Sequence, residues 1–119
     1  MELLEYNRLR RVEVTSGGTE TLRMKQNRFV RLISLLIQFA ISEGFEISFG
    51  DAFATSGHRK GSLHYKRLAI DLNLFKNGTY LTTTEAHRVL GEYWESLGGS
   101  WGGRFGDGNH YSLQHLGKR

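Results

Sequence analysis

The chain has 119 residues, with 39% hydrophobic, 24% charged and 12% aromatic side chains. These are ordinary globular proportions that exclude a disordered polypeptide and leave room for one core, so residues 1–119 are expected to form a single domain. Cysteine is absent, which excludes disulfides and thiolate metal sites, so any metal must be held by His, Asp or Glu. A formal net charge of +4 predicts mild attraction to polyanions without choosing among nucleic acid, anionic lipid and cell wall.

Residues 1–14 read as a short strand or helix around Leu3, Leu4 and Val12, and residues 15–19 as a loop. The first residues lack the basic and apolar stretches of a signal peptide, and the apolar run Leu35-Leu36-Ile37 is too short to span a membrane. A soluble chain with no stable membrane association is expected. From Thr21 to Ser42, the residues Leu22, Phe29, Val30, Ile33, Leu36, Ile37, Ala40 and Ile41 recur at three- and four-residue steps. That spacing predicts an amphipathic helix, stopped by Gly44.

Phe45 to Phe49 alternates as a half-buried strand does, and residues 50–63 are loop-like. Leu68 to Phe75 alternates as well, with Ile70, Leu72 and Leu74 on one face and Ala69, Asp71 and Asn73 on the other. Asn77-Gly78 is a hairpin signal. Thr84 is placed to cap a helix running to Leu97, its apolar side made of Ala86, Val89, Leu90, Tyr93 and Trp94. Residues 109–115 suit a last strand, with His110, Ser112 and Gln114 opposite Tyr111 and Leu113. The predicted fold class is α+β: a small, mostly antiparallel sheet with helices packed on it and a metal site on the sheet face.

Three residues carry the chemistry. Asp71 is a carboxylate on an otherwise apolar strand, costly to bury unless paired or bound to a cation. His64 lies seven residues earlier, roughly 23 Å away if extended, so residues 65–67 must turn the chain back if both serve one ion. His110 follows the glycine-rich stretch 98–108 and opens the last strand. Two neutral imidazoles and one carboxylate suit zinc and leave a fourth position open for water. Asp107, three residues before His110, is positioned to take a proton from that water. His87 is expected to face solvent, and His58 and His115 to be loop and terminal residues without a ligand role.

Ser62, His64, Ala69 and Asp71, followed by Asp107 and His110, fit the pattern Ser-x-His-x-x-Gly-x-Ala-x-Asp with an acidic residue three before a second His. By these motifs the chain resembles the zinc peptidases of the D-Ala-D-Ala carboxypeptidase group, whose relatives include bacteriophage endolysins cutting between L-alanine and D-glutamate. The resemblance spans roughly residues 22–115. It implies zinc as cofactor, His64, Asp71 and His110 as ligands, and Asp107 as general base and later proton donor.

Arg67 stands where the pattern has Gly. The substrate-steadying arginine that relatives carry upstream of the serine is missing, and Arg59 is its best substitute, ahead of Arg67 and Arg104. Ser62, Trp101 and Tyr111 are expected to line an open groove. The implied activity is a peptidoglycan endopeptidase, a monomer made in a host cytoplasm and acting on the wall in the periplasm. The alternatives are a carboxypeptidase releasing D-Ala, a non-catalytic wall-binding module and, more remotely, a metal-dependent nuclease. Two imidazoles argue against magnesium, and no basic stripe with interleaved aromatics argues for nucleic acid.

Overall fold

The computed structural model describes residues 20–119, so the readings for residues 1–19 lie outside the described residues. Helix α1 spans Leu22–Ser42. Thr21 caps it, its hydroxyl accepting from the Met24 amide at 3.1 Å. At the other end the Gly44 amide bonds the Ile41 carbonyl and the Phe45 amide the Ala40 carbonyl, both at 3.0 Å. This is the paired closure that a glycine at positive φ (+89°) permits.

The buried stripe of α1 is Phe29, Leu32, Ile33, Leu35, Leu36 and Ala40. It is turned from the expected one. Leu32 and Leu35 lie inside, whereas Val30 and Ile41 are 68% and 61% exposed. The apolar set is wider than the face that the other described residues cover, and the helix seats on its Leu32 side. Leu32→Ala is therefore expected to lower stability by about 2–5 kcal/mol. Val30→Ala is expected to change it by about 0.5 kcal/mol or less, and urea midpoints measure both.

The sheet contains β1 (Glu46–Phe49), β2 (Ala69–Lys76), β3 (Thr79–Leu81), β4 (Ser100–Trp101) and β5 (His110–Ser112), in the order β1-β2-β5-β4 with β3 also on β2. Every pairing is antiparallel. The β2–β3 hairpin closes through Asn77 and Gly78, both at positive φ (51° and 78°), the conformation for which this dipeptide is preferred. Helix α2 (Arg88–Ser96) follows a 3₁₀ turn at Glu85–His87. The expected start at Thr84 is corrected. Thr83 accepts from the Ala86 amide, and the Thr84 hydroxyl instead accepts from the Gly108 amide, both at 3.2 Å.

The expected α+β class holds. Among the described residues, α1, α2 and one face of the sheet enclose the core, which contains Ile70, Leu72, Leu74, Leu90, Trp94, Trp101 and Tyr111. The Trp94 indole N–H reaches the carbonyls of Ser100 and Ser112 at 3.1 and 2.9 Å, tying β4 to β5. Among the described residues no helix is long and apolar enough to cross a membrane.

Candidate metal centre

Asp71 lies directly opposite His110 in the β2–β5 ladder. The Leu72 amide bonds the Asn109 carbonyl at 2.9 Å, which makes Asp71 and His110 a non-hydrogen-bonded pair, the kind with side chains closest. Residues facing each other across antiparallel strands share a face, so the register alone brings these two donors together.

His64 reaches them by the turn its sequence distance requires. Ser62 accepts from the His64 amide at 3.2 Å and caps a 3₁₀ turn at Leu63–Lys66. Arg67 then reverses the chain in the left-handed region (φ 57°, ψ 36°). Arginine takes here the conformation a glycine would take freely, at a cost of roughly 1–2 kcal/mol. Its guanidinium lies 4.2 Å over the Phe53 ring, away from the site.

His64 Nε2 is 3.3 Å from Asp71 Oδ1, and His110 Nδ1 is 3.5 Å from the same oxygen. The three donor atoms all lie within 4.8 Å of one another. Two ligands at about 2.0–2.1 Å from a tetrahedral zinc stand roughly 3.3–3.4 Å apart, so the spacing and the donor types fit that ion. Burial lowers the pKa of His64; His110 and His58 add to the effect and the Asp71 carboxylate opposes it. The neutral form thereby favoured is the form that binds a metal.

A cavity of about 610 Å³ opens on these donors, lined also by His58, Arg59, Ser62, Asp107, Lys118 and Arg119. The Asp107 side chain is exposed, while its backbone is fixed by bonds to Gly102 and His110 at 2.9 and 3.2 Å. Of the three arginines considered, Arg59 lines the cavity; Arg104 is engaged with Glu95 at 2.7 Å. Lys118 and Arg119 are cavity residues that sequence reading missed, and no local pattern singles them out.

Trp101 and Tyr111 do not line the groove. Both are fully buried. They are register partners across β4 and β5 on the face opposite His110, and alternation along residues 110–111 forces that outcome. The Trp101 indole N–H donates to the Gly108 carbonyl at 2.8 Å.

His87 is not solvent-facing either. It is 3% exposed, and its Nδ1 lies 2.7 Å from the Tyr111 hydroxyl. Burial depresses its pKa to about 4 from 6.5 and raises that of the Tyr111 phenol. Because folded His87 stays neutral while the unfolded chain protonates below 6.5, stability present above that pH is lost as pH falls toward about 4. The loss is up to about 3 kcal/mol. Urea midpoints between pH 7 and 4 are expected to fall less steeply for His87→Gln than for the wild type.

Fold and site together define an α+β protein with a two-histidine, one-carboxylate group on its sheet that could hold a metal ion. Residues 55–113, just under half of the chain, match the family model described as D-alanyl-D-alanine carboxypeptidase. The match begins in the loop before Ser62 and ends just after β5, so it contains all three donors and Asp107. It supports a metallopeptidase. No curated protein matches the chain.

Proposed function

We propose that the protein is a zinc-dependent peptidoglycan peptidase of the endolysin type, cleaving stem peptides at the L-Ala–D-Glu bond, with residues 1–119 as one peptidase domain. The observation that carries this reading is the placing of Asp107 in the same cavity as three donors spaced for one tetrahedral ion. Zinc held by His64, Asp71 and His110 would polarise the scissile carbonyl and make water acidic enough to attack at neutral pH. Asp107 accepts the proton from the attacking water and returns it to the leaving amine. Arg59, Lys118 and Arg119 give the cavity a cationic rim, suited to a substrate rich in carboxylates.

The family description favours a second reading, release of terminal D-alanine. Mass spectrometry of digested peptidoglycan, with metal analysis of the same protein, separates them. New N-terminal D-Glu and one zinc per chain are expected; free D-Ala would establish the carboxypeptidase instead. Cleavage of plasmid DNA lost in His64→Ala would overturn both. The proposal further places synthesis in a host cytoplasm and action, as a monomer, on the periplasmic side of the wall.

A further inference from the structure

A histidine that holds a metal is ordinarily oriented by a hydrogen bond from its other ring nitrogen to a carboxylate, carbonyl or water. Among the described residues His64 has no such support: its Nδ1 is buried and meets no hydrogen-bond partner there. Its ring is met face-on instead. The His58 imidazole stacks on it with centroids 4.2 Å apart and planes 15° from parallel.

His58 is itself held at three points. Its Nε2 lies 2.9 Å from the Asp51 carboxylate. Its amide donates to the Tyr65 hydroxyl at 2.8 Å, and that hydroxyl donates to the His58 carbonyl at 2.7 Å. Both ends of this brace lead back to the centre. Tyr65 follows His64 on the same 3₁₀ turn, and the Asp51 carbonyl accepts from the Asp71 amide at 2.9 Å.

We propose that His58 is a positioning residue of the metal centre: stacked on His64 and anchored by Asp51 and Tyr65, it fixes the ring plane that aims Nε2 toward Asp71. The stack takes the place of a hydrogen bond at Nδ1, which no described residue supplies. This inference rests on the metal-centre reading and adds a residue outside the donor set of His64, Asp71 and His110.

Zinc titration of the full chain tests it. His58→Ala is expected to weaken zinc binding by about 10–100-fold, chiefly through faster zinc loss, with the melting temperature of the metal-free chain little changed. His58→Phe, which keeps a flat ring but no nitrogen, is expected to recover most of the affinity. Asp51→Ala, which frees the stacked ring, is expected to fall between His58→Ala and the wild type. His58→Ala binding zinc as tightly as the wild type would overturn the proposal, as would His58→Phe binding as weakly as His58→Ala. Ring-proton NOEs between residues 58 and 64 in the wild type give a measurement that needs no variant to fold, and their absence also overturns it. A wild-type chain that takes up no zinc would instead remove the metal-centre reading on which the proposal rests.

Discussion

Asp107→Ala is expected to lower kcat for stem-peptide hydrolysis by roughly 10²–10⁴-fold, with one zinc still bound and the melting temperature unchanged. The separation follows from where the residue sits. The three donors come from the 3₁₀ turn, β2 and β5, and none depends on the Asp107 side chain. Its carboxylate is exposed in the cavity, whereas its structural work is done by its backbone amide and carbonyl, which alanine keeps. Asp107→Glu is expected to retain a measurable fraction of activity, because a carboxylate remains within reach of the attacking water. If Asp107→Ala lost its zinc as well, the residue would belong to the metal shell rather than act as a base. Full activity in Asp107→Ala would remove Asp107 from the role of general base, and wall binding without hydrolysis in the wild type would leave the fold as a wall-binding module.

Gly91→Ala is expected to be the most damaging single-methyl change, lowering stability by about 3 kcal/mol or more and weakening zinc binding in the same protein. Gly91 lies in α2, and a Cβ built there falls 2.1 Å from the Trp101 ring. That indole has no room to withdraw: a Cβ on Gly103 would meet it at 2.2 Å, and its N–H is bonded to the Gly108 carbonyl. A shift of Trp101 would therefore drag the loop that carries Asp107 and leads into His110. The neighbouring Gly102 makes the loop equally intolerant, since a Cβ there would lie 2.3 Å from the Asp107 carbonyl. Urea denaturation and zinc titration of Gly91→Ala measure the two effects, and a variant with wild-type stability would refute the packing argument. The glycine cluster of residues 98–108 is thus a packed support for the site, with the Trp94 and Trp101 indoles close against Gly99 and Gly103.

Much of the fold was legible because it is written in local periodicity. Three- and four-residue spacing located α1, alternation located β2 and its two faces, and Asn77-Gly78 located the hairpin. Periodicity failed where an element's surroundings decide. Val30 and Ile41 satisfy the helical spacing as well as Ile33 does, yet what covers α1 lies toward Leu32 and Leu35. Thr84 is a sound cap by type, but a loop more than twenty residues away claims its hydroxyl. Trp101 and Tyr111 were misplaced by their chemistry, as aromatics near a site, although alternation beside His110 already turned Tyr111 inward.

For the site, the sequence by itself determined the donor types and their order: without cysteine, a metal must be held by histidines and carboxylates, and His64, Asp71, Asp107 and His110 stand at telling intervals. Only the tertiary structure decided how His64 and His110 are brought to Asp71, that Lys118 and Arg119 join Arg59 in lining the cavity, and that His58 stacks on His64 while His87 is buried. The physical reason is that spacing along a chain fixes backbone conformation and the face a side chain takes. Contacts between residues far apart depend on strand register, on the path of loop 50–61, and on which packing excludes most water.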